Sequence, residues 1–196
     1  MADAALMLPP SMSVAEFIDW PGDGTPTRYE LVDGVPRAMA PASDAHGTIM
    51  INVAAIIWGK LRTSRPNCRV VGAPGIQPHL RADWNFRIPD LGVTCAANEK
   101  GAVMMPTPVL LVEVLLPGNA ADTWDNVRNY ATIPSVLEIL ILHQSVIKAE
   151  ILRRDGAGAW PSNPALVEAA GTVQLASIGV DFPLRDAYAG THLDAA

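Results

Sequence analysis

Lysine is the scarcest charge in this chain: only Lys60, Lys100 and Lys148 carry an ammonium group among 196 residues. Charged residues make up 17% and the net charge is −6, which excludes a polybasic protein that coats DNA through its overall field. A local groove built from arginines stays open. Cysteine is nearly absent as well. Cys68 and Cys95 stand apart with no CxxC and no histidine at ligand spacing, so two reduced thiols in or near the core are expected rather than a zinc site or a disulfide. Aromatic residues are few. The tryptophans, at 20, 58, 84, 124 and 160, lack the basic interleaving of a single-strand stacking surface and read as packing groups. Long apolar runs are missing too. The longest, 109–116, falls far short of the ~20 residues of a membrane helix and contains Glu113. Residues 1–12 carry an acid and Pro9-Pro10 in place of the positive region of a signal peptide. A soluble cytoplasmic protein without membrane contact is expected. Its mean hydropathy of +0.20 points to a buried interface in a homo-oligomer, a dimer in the simplest case.

Local signals outline a mixed α/β chain. Ser13 and Glu16 have capping-box spacing at the start of a short helix, which Pro21-Gly22 ends. Two β-prone runs flank Asp33-Gly34, a hairpin signature. Ser43 or Asp44 caps a long helix in which Ile49, Val53, Ile56, Ile57 and Leu61 recur at helical spacing before Pro66. Strands are expected at 69–71, 75–80, 86–94, 109–115, 136–142 and 146–154, with a helix over 122–130. Short strands and a helical turn near 184–188 close the chain. Gly22-Asp23-Gly24 and Gly156-Ala157-Gly158 are turns, because neither leads from a strand into a helix as a phosphate loop must. Lys60, Arg62, Arg65 and Arg69 form the one local basic run, either a solvated helix end or a phosphate contact.

Two acids sit where an acid costs free energy. Glu113 interrupts an aliphatic strand, and Asp90 lies between Ile88-Pro89 and Leu91-Gly92-Val93. A carboxylate in such surroundings must be paired, hydrogen-bonded, metal-bound or protonated. On neighbouring strands the two would form an oxygen-rich site for Mg²⁺, suited to phosphodiester hydrolysis. The alternative is that each pairs with an arginine, such as Arg87 or Arg128, or reaches solvent.

The order of motifs resembles a known family. Tyr29-Glu30-Leu31-Val32-Asp33-Gly34, Ser43 with His46, Pro89-Asp90-Leu91-Gly92-Val93, Val112-Glu113-Val114-Leu115 with Pro117, the stretch 130–138 and the closing 179–184 are together similar to the Uma-type "putative restriction endonuclease" family of the PD-(D/E)xK nuclease superfamily. The resemblance covers about 13–190. It implies a restriction-endonuclease-like single domain over 13–190, with a central mixed β-sheet flanked by helices, an N-terminal helix and hairpin, and tails at 1–12 and 191–196. It also implies Asp90 and Glu113 as ligands of Mg²⁺ or Mn²⁺, Glu30 as a further acid facing the same cleft, and DNA as substrate. For Glu30 the alternative is a salt bridge to Arg28 or Arg37. His46, early in the long helix, is placed toward that cleft as well, the alternative being a bond to backbone or solvent.

One departure stands out. The superfamily's lysine, two residues after the strand acid, is replaced by Leu115, and the helix 122–130 has no lysine; Asn126 and Arg128 are its nearest polar stand-ins. Arg128 is the candidate for contacting the scissile phosphate, although an arginine cannot readily act as a base. Two main functional readings follow: a metal-dependent endonuclease, weak in activity through its degenerate motif, and an inactive nuclease fold serving as a binding or assembly module. A small-molecule enzyme on the same scaffold has only the same two acids to support it.

Overall fold

A computed structural model describes residues 11–118 and 120–194. Helix α1 (Val14–Asp19) begins where the capping box requires: Ser13 Oγ accepts the Glu16 amide, and Glu16 Oε2 accepts the Ser13 amide. Strands β1 (Tyr29–Val32) and β2 (Val35–Ala38) pair antiparallel around Asp33-Gly34. Both turn residues have positive φ, as a type I′ hairpin turn demands. Of the expected tails, residues 1–10 and 195–196 lie outside the described residues. Within the rest, the Met12 amide donates to the Gly34 carbonyl, and Thr191 is buried with its hydroxyl on the Tyr188 carbonyl.

Helix α2 (Asp44–Ser64) is capped by Ser43 and ends two residues before Pro66. Its buried stripe is His46, Ile49, Val53, Ile57 and Leu61. This stripe covers one face of a six-stranded sheet ordered β3-β4-β5-β6-β7-β8, whose strands are β3 (Arg69–Gly72), β4 (Leu91–Thr94), β5 (Pro108–Leu115), β6 (Glu138–His143), β7 (Lys148–Arg153) and β8 (Ala165–Glu168). Only β5 and β6 run parallel, joined through α3 (Ala120–Tyr130). Every other pair in the sheet is antiparallel. A hairpin of β9 (Thr172–Leu175) and β10 (Val180–Pro183), with a 3₁₀ turn over Leu184–Tyr188, completes the α2-side layer.

The two-residue side-chain period divides β5 between two cores. Leu110, Val112 and Val114 join α2, whereas Leu111 and Leu115 pack in the cluster with Val127 and Tyr130 of α3. Glu113 shares that second face. The sheet is therefore flanked by helices on both sides, which is why its central strands read as continuous apolar runs.

The span 75–94 differs from the expected strands. Residues 75–80 form no strand beyond bridges of Gly75 to Met104 and Ile76 to Arg87, and β4 starts only at Leu91. Pro89 has no amide to donate to a ladder. A Cβ at Gly75 would lie 2.2 Å from Phe86 Cζ, so the crossing of these segments requires glycine.

The expectation of reduced thiols is also corrected. Cys68 and Cys95 form a disulfide with Cα atoms 3.9 Å apart. The antiparallel register of β3 and β4 pairs Arg69 with Thr94, so its continuation sets the two cysteines directly opposite each other. That register is a tertiary property and cannot be read from their spacing.

Candidate active site

The two acids converge because of sheet register. β4 pairs Leu91 with Val112, and one step further along the antiparallel ladder Asp90 faces Glu113. Asp90 stands just before β4. Its Oδ2 accepts the Val114 amide at 2.7 Å, taking over where main-chain pairing has ended. The same oxygen lies 3.1 Å from His46 Nε2. His46 reaches it because it is the first member of the α2 stripe, so docking that helix on the sheet carries the imidazole to the sheet's end. The sequence left His46 between a backbone or solvent contact and the cleft; its ring binds Asp90. The signal was the buried stripe, which continues at helical spacing from Ile49 back to His46.

Glu113 is 8% exposed. Its Oε1 accepts the Tyr130 hydroxyl at 2.7 Å and the Asn126 side-chain amide at 3.3 Å. Tyr130 and Asn126 are one turn apart on α3, on the face that packs against the sheet. Burial pushes the Glu113 carboxyl well above its ordinary range, and the negative charge of Asp90 pushes in the same direction. Burial likewise raises the Tyr130 phenol, reinforced by the charge of Glu113.

Glu30 comes from the hairpin. Main-chain bonds between Leu31 and Phe86 tie β1 to the segment leading to Asp90, and the Ile88 amide donates to Glu30 Oε1 at 2.8 Å. Burial raises the Glu30 carboxyl, while this amide bond and the charge of Arg87 partly offset the effect. Arg37, its partner in hairpin register, turns instead to Asp122 at 3.1 Å.

Neither arginine considered as a partner for the strand acids binds them directly. Arg87 is 2% exposed and bonds Asp125 at 2.9 Å, Asn126 Oδ1 at 3.0 Å and Asn85 at 3.2 Å. Its link to Glu113 passes through the Asn126 amide. Arg128 is exposed in the last turn of α3 and bonds Asp125 at 3.2 Å, so the structure does not bring it to the carboxylates. The basic run lies elsewhere. Lys60 and Arg65 donate to the carbonyls of Asp181 and Ser177, and Arg62 stacks over Trp58. From His46 to Arg62 along α2 is about 24 Å at 1.5 Å per residue.

The lysine position of the motif, Leu115, is partly buried and packs in the α3-side core. Register adds something the linear sequence concealed. Leu115 pairs with His143 on β6, and one step beyond the β6–β7 ladder, which ends at Leu142 and Ala149, His143 faces Lys148, with the Tyr188 hydroxyl bridging their main chains. Lys148 therefore shares the row and face of Leu115, two strands away.

Can these residues hold a divalent cation? Among the described residues, no three His, Cys, Asp or Glu side chains are grouped to hold a metal between them. An all-protein cage is thus not present. Two carboxylates still suit Mg²⁺, which keeps several of its waters. Asp90 Oδ1 and Glu113 Oε2 accept no hydrogen bond from the described residues. Burial first, and then the charge of Asp90, oppose ionisation of Glu113, and Arg87 is engaged by Asp125. The donor set fits a hydrated divalent cation on those terms.

Comparison with known proteins bears on the fold and the family. Among solved structures, the fold matches that of a "putative nuclease belonging to DUF820" from Anabaena variabilis ATCC 29413, with a TM-score of 0.71 at 14% identity, covering 90% of this chain and 97% of the other. At that identity the likeness is one of fold. No curated protein matches the chain, and no helix among the described residues is long and apolar enough to cross a membrane. The Uma2 family model, described as "putative restriction endonuclease", matches residues 14–183, a span that contains Glu30, Asp90 and Glu113, and the chain belongs to that family.

Proposed function

We propose that this chain is a divalent-metal-dependent endonuclease that hydrolyses phosphodiester bonds in DNA. The observation that carries the proposal is the placing of Asp90 opposite Glu113 at one end of the sheet, each with one oxygen held by protein donors. Asp90 and Glu113 would hold Mg²⁺ or Mn²⁺. Such a cation, when bound, polarises a phosphoryl oxygen and lowers the pKa of a coordinated water. The chain's own residues orient the site: His46 and the Val114 amide fix Asp90, Tyr130 and Asn126 fix Glu113, and the Ile88 amide fixes Glu30 beside them. In this reading Arg128 meets the DNA phosphate at the rim of α3, because it is exposed and bonds Asp125, not the carboxylates.

The test is cleavage of plasmid DNA in Mg²⁺ or Mn²⁺. Wild-type chain cuts, and Asp90→Ala or Glu113→Ala lowers the rate by at least about 100-fold, within the range for loss of electrostatic stabilisation. Cleavage that survives both substitutions refutes the assignment. Leu115 at the lysine position favours the second reading, an inactive nuclease fold that serves as a binding module. That reading predicts no cleavage with either metal while DNA or a protein partner is still bound.

A further inference from the structure

The β5–β6–β7 register points to a proton-accepting site that no sequence motif marks. The His143–Glu150 pair, with Lys148 beside it, supplies from the neighbouring strands the basic group that Leu115 cannot. This inference rests on the nuclease reading above.

The argument begins with faces. Glu113 and Leu115 on β5, Ile141 and His143 on β6, and Lys148, Glu150 and Leu152 on β7 share the α3 side of the sheet by the two-residue period. Glu113 pairs with Ile141, which pairs with Glu150; Leu115 pairs with His143, which stands opposite Lys148 one step beyond the last ladder pair, Leu142 with Ala149. His143 is therefore one diagonal step from Glu113, about 7–8 Å between such positions, within common reach of a substrate group for long side chains. It also lies at the same sheet end as Asp90, because β5 and β6 are parallel and both finish there.

The chemistry fits a base. His143 Nε2 lies 2.8 Å from Glu150 Oε1, and the two side chains are 16% and 11% exposed. A carboxylate on Nε2 holds that nitrogen as N–H and leaves the Nδ1 lone pair available. Nδ1 has no partner among the described residues. Lys148 Nζ stands 3.5 Å from the same Glu150 oxygen, with 28% of its side chain exposed. It is the only one of the three lysines on this face. The charged groups near His143 are Glu150 and Lys148 from β7 and Glu113 from β5. On α3, Asp122 and Asp125 are engaged by Arg37 and Arg87.

In the reaction, one O–H bond of the attacking water breaks as its oxygen bonds to phosphorus, and that proton passes to His143 Nδ1. The P–O bond to the leaving sugar oxygen breaks, and that oxygen takes a proton from solvent. Glu150, bonded to Nε2, stabilises the imidazolium.

The experiment combines DNA cleavage in Mn²⁺ across pH with the ¹⁵N imidazole spectrum of the metal-free chain. Wild-type cleavage should rise with pH along one limb, as general-base catalysis requires. His143→Gln should lower the rate by at least about 100-fold and abolish the limb, with Mn²⁺ affinity and melting temperature unchanged. The spectrum should show the neutral ring protonated at Nε2, and Glu150→Gln should weaken that preference. A His143→Gln enzyme within threefold of wild type with the same pH profile overturns the inference and leaves the nuclease reading standing. So does a neutral ring protonated at Nδ1. Wild-type chain that cuts at no pH overturns both.

Discussion

Removing the Tyr130 hydroxyl should destabilise this protein more in alkali than in acid, and the size of the difference can be worked out. Tyr130 is fully buried and donates to Glu113 Oε1 at 2.7 Å. Tyr130→Phe keeps the ring, so no cavity term enters. A hydrogen bond to an ionised group is worth about 1.5–3 kcal/mol, and one between neutral partners about 0.5–1.5 kcal/mol. The folded Glu113 carboxyl lies well above 4.5, chiefly through burial and then through the charge of Asp90. The native state therefore keeps a proton that the unfolded chain has released, so this group's contribution to stability falls as pH rises through the folded value. The Tyr130 bond lowers the Glu113 pKa and so limits the fall; its loss deepens it. Near pH 9 the variant should lose about 1.5–3 kcal/mol, or about 3–12 °C in melting temperature for a chain of this size. Near pH 5 the loss should be about half that or less. Thermal melts read by circular dichroism at the two pH values measure this directly. An equal loss at both, or none, would mean that Glu113 is not the buried, charge-strained acid described here.

Other perturbations test the scaffold. Replacing Cys68 and Cys95 together by serine opens a loop with a sequence separation of 27; the chain-entropy relation gives about 3.5 kcal/mol lost in chemical denaturation, and an unchanged midpoint would mean that the disulfide does not constrain the unfolded chain. Asp125→Ala takes the carboxylate from Arg87, 2.9 Å away and nearly buried. A loss of about 2 kcal/mol is expected, with lower cleavage because Asn126 loses its anchored neighbour; full activity would separate Arg87 from the site.

Much of the scaffold was legible because its signals are local. The Ser13–Glu16 spacing, the Asp33-Gly34 turn, the α2 stripe and the aliphatic run around Glu113 each reflect one helix turn or one strand, and each element appears in the structure. Glu113 and Asp90 stood out in the same way, as charges in apolar strands. What the sequence concealed is cross-strand. The disulfide and the placing of Lys148 in the row of Leu115 both depend on which residue pairs with which. Register is set by packing over the whole sheet, and the His46 contact follows from how α2 docks on that sheet. The lysine count, read linearly, suggested a missing cation. In the folded chain a lysine and a histidine occupy the same sheet face from the adjacent strands.

The central claim is that Asp90 and Glu113 make one divalent-cation site, and calorimetric titration of the chain with Mn²⁺ at pH 8 tests it most directly. One binding event should be seen in the wild type and in His143→Gln, and it should disappear in both Asp90→Asn and Glu113→Gln. Absence of Mn²⁺ binding, or binding unchanged in either carboxylate variant, would contradict the account.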